Sequence, residues 1–197
     1  MRYFLAAIIP YFLGAISGSM LVSKFFNLED VAKKGSGNRG TTNVFRNYGF
    51  VPALCTLIID LLKGTFAAYI GYLIEPQYGG YIAGVSVVIG HIWPVFFGFK
   101  GGKGVATYEG VLLYHLPILG LIEIVIFIIT NLTIKIVSIG SVILSLISIL
   151  YVLVFHSKNI PLIVMVMINC VLIIFAHRDN IKRISKGEEK KTELLKG

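Results

Sequence analysis

Thirteen residues from Lys34 to Arg46, K-G-S-G-N-R-G-T-T-N-V-F-R, hold three glycines, two asparagines, one serine, two threonines and three cations. Glycines such as Gly35, Gly37 and Gly40 let backbone N–H groups approach an anion, because no Cβ stands in the way. Successive N–H groups in a turn make a concave nest that suits phosphate oxygens. Lys34, Arg39 and Arg46 add charge, and the Arg46 guanidinium can grip a phosphate through two parallel hydrogen bonds. The stretch reads as a phosphate cradle.

It also spells a dinucleotide fingerprint. Gly35 to Gly40 satisfies G-x-G-x-x-G, and Asp60 lies twenty residues past Gly40. That pattern carries meaning only between a strand and a helix of a βαβ unit. Here an apolar helix candidate precedes it and Asp60 sits inside another apolar run, so the match is accidental.

A second glycine–lysine loop, Gly101-Gly102-Lys103-Gly104, runs straight into the segment starting at Val105. Its backbone N–H groups and the helix N-terminus make a second anion site, with Lys103 as a point charge. It is no Walker loop, because only three residues separate Gly98 from Gly102 and Gly104 stands where Ser or Thr is needed. A third polar segment runs from Ala176 to Glu188, where helical spacing puts His177, Asn180, Ile181 and Ile184 on one face.

Asp60 and Lys63 lie three apart inside an apolar run. Each charge costs roughly 2.5–3.5 kcal/mol at the centre of a membrane helix, so the two are expected to face inward as a structural pair, with direct substrate contact as the other use. His91 serves equally as a core histidine or a ligand contact, while His115 and His156 are expected at the outer surface and read as incidental. Glu109 and Glu123 are embedded carboxylates for which the sequence offers no partner. The acidic groups are too scattered for a Mg²⁺ pair, no Cys/His spacing suits zinc, and no Ser-His-Asp set suggests itself. No metal and no cofactor is expected. Such chemistry works by positioning and charge neutralisation.

The elements that must position these residues are apolar. The 197 residues are 56 % hydrophobic with mean hydropathy +0.82, well above a soluble domain. Runs of ~20 apolar residues fill most of the length, so the chain is expected to be one all-α membrane domain, 1–197. The expected spans are 3–22, 50–74, 81–99, 105–114, 117–130, 136–155 and 160–176. The polar motif segments are 34–46, 99–107 and 177–188. Arg2 precedes the first run with no small-residue cleavage site after it, which reads as a retained helix rather than a signal peptide. Cys55 and Cys170 fall in apolar runs and read as buried thiols.

Charge bias orients the seven spans. Segments 24–49, 99–104, 131–135 and 178–197 hold 15 Lys/Arg, whereas the opposite side holds Arg2 and Lys158. This predicts an outside N-terminus and a cytoplasmic tail. The net charge of +8 is thereby a topology signal, helped by attraction to anionic lipid, and needs no nucleic acid. All three polar motifs fall on the cytoplasmic side.

Four motifs carry a resemblance over the whole chain. They are G-S-G-N-x-G-x-T-N-x-x-R (Gly35 to Arg46), D-x-x-K-G (Asp60 to Gly64), G-H-x-x-P-V-F-x-x-F-x-G-G-K-G-V-A-T (Gly90 to Thr107) and H-R-x-N-I-x-R (His177 to Arg183). In order and spacing the chain resembles the bacterial acyl-phosphate:glycerol-3-phosphate acyltransferases. The resemblance implies seven helices and acyl transfer from acyl phosphate to glycerol 3-phosphate, releasing lysophosphatidic acid and phosphate. Neither acyl-CoA nor acyl carrier protein is then a donor. It also implies residence in the bacterial inner membrane and a possible link to the soluble enzyme that makes acyl phosphate.

Carried over residue by residue, the resemblance implies catalytic roles for Ser36, Arg46, Lys103, His177 and Asn180. It implies substrate or phosphate binding for Gly35, Gly37, Asn38, Gly40, Thr42, Asn43, His91, Gly101, Gly102 and Gly104, and structural roles for Asp60, Lys63 and Glu188. Arg39 and Thr41 occupy positions the family varies. The proton acceptor stays open between His177, His91 and an oxygen of the acyl phosphate, with the substrate-assisted route favoured. The competing class is a small-anion transporter or channel, which intramembrane Asp60 and Lys63 would suit.

Overall fold

The computed structural model describes residues 1–192. The last five residues of the tail expected to be cytoplasmic, 193–197, lie outside the described residues. In chain order the helices are α1 (Arg2–Ala15), α2 (Gly18–Phe25), α3 (Thr41–Tyr48), α4 (Phe50–Ile74), α5 (Gly79–Ile92), α6 (Val105–His115), α7 (Pro117–Thr133), α8 (Val137–Phe155), α9 (Ile160–Ala176) and α10 (Arg178–Ser185). No strand occurs among the described residues. An all-helical answer follows from composition, because apolar segments in lipid must satisfy every backbone group internally.

Four helical runs are long and apolar enough to cross a membrane: Arg2–Phe25, Phe50–Ile74, Gly79–Phe97 and Val137–Phe155. A fifth is counted if α9 and α10, bent by 55° at His177, are taken together. Of the seven spans expected, the two remaining fall on α6 and α7, with 11 and 17 residues. An 11-residue helix is only about 16 Å long against a hydrocarbon core of about 30 Å.

The first run is broken at Ile16–Ser17, where Ser17 caps α2 by accepting the Met20 N–H. Within the third run α5 ends at Ile92, and past Phe97 the chain folds back so that Gly101 N–H and Gly102 N–H donate to the carbonyls of Ile92 and His91. This re-entry lets the short α6 start inside the bundle.

Outer surfaces carry the large apolar side chains. Phe50, Leu150, Val154, Phe155 and Val171 are all exposed, as suits lipid rather than water. The interior packs Val87, Val88, Tyr108, Val111, Leu112, Met165, Val166 and Cys170 from α5, α6 and α9. Close packing needs small residues: a Cβ at Gly14 would collide with the Val87 carbonyl of α5.

The connections sort to two ends of the bundle. Tyr81 stacks on His115 and accepts from Asn159 at one end. At the other, Arg39 meets Gly101, Lys103 meets Asn180, and Thr192 meets Lys135. All three polar motifs share that second end.

Candidate active site

The first motif is a folded loop with Asn43 at its centre. Asn43 is buried, and its Nδ2 donates to the carbonyls of Val31, Lys34 and Asn38 at 3.1, 3.1 and 2.9 Å. Its Oδ1 accepts from Ser36 N–H (3.1 Å) and Asn47 (3.0 Å). Every polar position on Asn43 is thus spent on the loop, and the binding role expected of it becomes a scaffolding one. Gly35, at φ +59°, lies against Asn43 so closely that a Cβ would meet its Oδ1. Asn38 Oδ1 accepts from Gly40 N–H (2.9 Å). The Ser36 side chain is exposed, and neither its hydroxyl nor that of Thr42 has a partner among the described residues.

The cations of this motif go to different places. Arg39 makes a bidentate pair with Asp30 at 2.8 and 2.9 Å, lies 4.5 Å over the Phe97 ring, and donates its N–H to Gly101 O. It clasps the first loop to the second. Lys34 pairs with Glu29 at the surface (3.2 Å). Arg46 reaches the segment after the third motif: its Nε and Nη2 donate to Thr192 Oγ1 at 3.0 and 2.6 Å, and Nη2 donates to Lys190 O at 3.0 Å.

In the second loop the expected amide cradle is partly used up. Gly101 and Gly102 spend their N–H groups on α5 carbonyls and cannot also hold an anion. They are glycines for another reason: a Cβ on Gly102 would collide with His91 Nε2, and one on Gly101 with His91 O. Gly104, at φ +87°, starts α6, whose first N–H groups stay free of this α5 pairing.

Lys103 Nζ donates to Asn180 Oδ1 on α10, and Asn180 Nδ2 donates to Glu189. Glu189 also accepts from Ser138 (3.0 Å) and pairs with Arg183 (2.7 Å). Burial opposes charge on Glu189, but hydrogen bonds from Asn180, Arg183 and Ser138 prevail and hold it below the usual carboxylate range. The structural role expected of Glu188 therefore falls on Glu189, since Glu188 points into solvent.

His177 is buried, and its Nδ1 lies 2.8 Å from Ile173 O. A carbonyl only accepts, so Nδ1 carries the proton and Nε2 is left as an acceptor. Burial, seconded by the Lys103 charge, pushes His177 down to about 4, so the ring is neutral at physiological pH. Burial likewise lowers Lys103 to about 8; Arg183 and Arg46 act in the same direction and Glu189 against it.

A deeper group lies against Gly102. Lys63 Nζ reaches Asp60 Oδ1 at 2.7 Å, His91 Nδ1 at 2.8 Å and Ile16 O at 2.9 Å. One ion pair and two hydrogen bonds thus surround the ammonium. One of those hydrogen bonds goes to the carbonyl freed by the break in the first helical run. Together with Ser17, Arg39 and Gly101, Lys63 and His91 line a small cleft.

Glu109 and Glu123 are neighbours across α6 and α7. Ser148 of α8 donates to Glu123 at 2.8 Å, whereas both carboxylate oxygens of Glu109 are buried with no hydrogen-bond partner among the described residues. Among the described residues no group of three or more His, Cys, Asp or Glu suits a metal. Sequence reading missed Asp30, Glu189 and Thr192. Of these only Glu189, adjacent to the residue chosen, had a signal.

A family model described as glycerol-3-phosphate acyltransferase matches residues 4–187. The chain is 40 % identical over 184 residues to the glycerol-3-phosphate acyltransferase of Finegoldia magna, covering 93 % of each. It is 36 % identical over 191 residues to that of Bacillus subtilis, covering 97 % of this chain and 98 % of the relative. Among solved structures it is similar to PlsY (YgiH), an integral membrane glycerol 3-phosphate acyltransferase, in its glycerol 3-phosphate form. The TM-score is 0.89 at 32 % identity, covering 98 % of this chain and 96 % of that one. The lysophosphatidic acid form of the same protein gives 0.89 at 31 %.

Proposed function

The chain belongs to the glycerol-3-phosphate acyltransferase family, and from that premise we propose how its residues carry the reaction. It is a multi-pass membrane acyltransferase that acylates glycerol 3-phosphate to lysophosphatidic acid. The anion-transporter alternative finds no support among its relatives.

The acyl donor is acyl phosphate. The glycerol hydroxyl oxygen attacks the acyl carbonyl carbon, the bond from that carbon to the phosphate oxygen breaks, and inorganic phosphate leaves. Phosphate is a good leaving group, so the protein need supply little beyond alignment and charge. The observation that carries this reading is that Arg46 and Lys103 contact only neutral oxygens among the described residues, namely Thr192, Lys190 O and Asn180. Two cations so placed keep their charge uncompensated, ready for a phosphate.

His177 and Asn180 orient the glycerol end, and Ser36 donates a hydrogen bond. His177 Nε2 can accept from the hydroxyl, but a ring held at about 4 is a poor proton acceptor at neutral pH. The proton passes instead to an oxygen of the acyl phosphate. The mechanism needs no metal.

The topology is seven spans, with the N-terminus outside and the polar motifs at the cytoplasmic face of a bacterial inner membrane. Acyl phosphate comes from the bilayer, handed over by the soluble enzyme that makes it, and glycerol 3-phosphate from the cytoplasm. The charge asymmetry supports this orientation. Purified protein given radiolabelled glycerol 3-phosphate should form lipid-soluble product with acyl phosphate and none with acyl-CoA. Product from acyl-CoA alone would overturn the donor assignment. Single cysteines replacing Glu75 and Lys186, in a variant lacking Cys55 and Cys170, should label from opposite sides of sealed cells.

A further inference from the structure

The segment after α10 turns at Gly187, φ +72°, and runs back across the motif end of the bundle. It is fastened twice. Glu189 is held by Ser138, Asn180 and Arg183. Thr192 donates its N–H to Lys135 O at 2.7 Å, and its side chain is 3 % exposed. Between and at these fasteners, Lys190 O and Thr192 Oγ1 take the Nε–Nη2 edge of Arg46.

We infer that Thr192 is a positioning residue for the acyl transfer: it fixes the Arg46 guanidinium so that Nη1 faces the substrate phosphate. The inference rests on the reading of Arg46 as a phosphate grip. Arg46 stands on α3, a short polar helix, and is itself exposed, so its long side chain has little packing to hold it. A guanidinium presents its donors in a rigid plane. Fixing one edge therefore fixes the other, and Nη1 is the nitrogen with no partner among the described residues.

The opposite reading makes the tail a competitor that substrate must displace. The anchoring argues against it. A hydroxyl meant to leave would not sit on a residue that is nine-tenths buried, with its own N–H tied to a different connection. Orientation also explains why an uncharged hydroxyl, and not a carboxylate, meets Arg46: it leaves the positive charge for the phosphate.

Thr192→Val keeps the shape of the side chain and removes the hydroxyl, and Thr192→Ser restores it. With purified enzyme and both substrates varied, Thr192→Val should raise KM for one phosphate-bearing substrate about tenfold, the weight of a lost hydrogen bond to a charged group. Tm should stay at the wild-type value, and Thr192→Ser should return KM to within about twofold. An unchanged or lowered KM in Thr192→Val, a loss confined to kcat, or no rescue by serine would overturn the inference. Arg46→Lys is measured alongside. If it too turns over like wild type, the grip reading has failed; if it is impaired while Thr192→Val is not, only the present inference has.

Discussion

Two charged groups meet at the Gly101–Gly102 turn, and they are wired in opposite ways. In the deeper one the Lys63 charge is matched inside the protein, by the Asp60 carboxylate and by hydrogen bonds to His91 and Ile16 O. In the shallower one Lys103, Arg46 and Arg183 face two carboxylates, Glu189 and Asp179, and both Lys103 and Arg46 rest on neutral oxygens. Matched charge marks scaffold, because removing water from an ion is tolerable only where a partner replaces it. Unmatched charge marks the place where an anion belongs. The same residue types therefore do different work, and their partners distinguish them.

The comparison breaks first if the deep group can be dismantled cheaply. Lys63→Ala leaves Asp60 ionised in the bundle and should lower stability by about 3–5 kcal/mol, read by thermal unfolding in detergent. A Lys63→Met, Asp60→Leu double variant should recover much of that loss. Wild-type stability in Lys63→Ala would show that the group is no scaffold.

Next in size is the shallow group, where the effect should fall on rate. Lys103→Ala should cut kcat/KM about 10²-fold, with Tm near wild type, as expected for loss of one donor to developing or transferred charge. Arg46→Lys keeps charge but cannot hold Thr192 and phosphate in one plane, and should cost at least about tenfold. If Lys103→Ala unfolds the protein as readily as Lys63→Ala does, the two groups are not different in kind.

A smaller effect is read from pH. Lys103 sits near 8, below its usual value, so it is charged below that pH and loses its proton above it. Activity should therefore decline as pH rises through about 8. Lys103→Arg, whose guanidinium stays charged, should push the decline upward. An unaltered profile in that variant would assign the ionisation elsewhere.

The smallest change is expected at His177. With the ring neutral and serving as an acceptor, His177→Gln should keep turnover within about tenfold and leave the pH profile above 5 unchanged. Abolished turnover in a folded variant would make His177 the base.

Sequence alone carried the helical architecture, because apolar runs in lipid leave no other option. It also carried the gathering of the three polar segments at one end, from charge bias, and the inward pairing of Asp60 with Lys63, from spacing and charge cost. What it could not carry were choices made by neighbours distant in the chain. Asn43 looked like a ligand contact until its five partners appeared. Glu188 and Glu189 are indistinguishable once Gly187 ends the helix. Arg39 offered the same charge as Arg46, but Asp30 claims it. Glu109 and Glu123, 14 positions apart on different helices, share no pattern that would set them side by side.

The spacing of these contacts along the chain sets a timetable for biosynthesis. Lys63 finds His91 28 residues later, whereas Lys103 waits 77 residues for Asn180 and Arg46 waits 146 for Thr192. At 5–20 residues per second, that last interval is roughly 7–30 s of translation. A growing polypeptide entering the bilayer thus builds its scaffold first, and the contact proposed to align the phosphate grip forms only 146 residues after Arg46. A prematurely released fragment would carry the early half without the late one, inserted and inert.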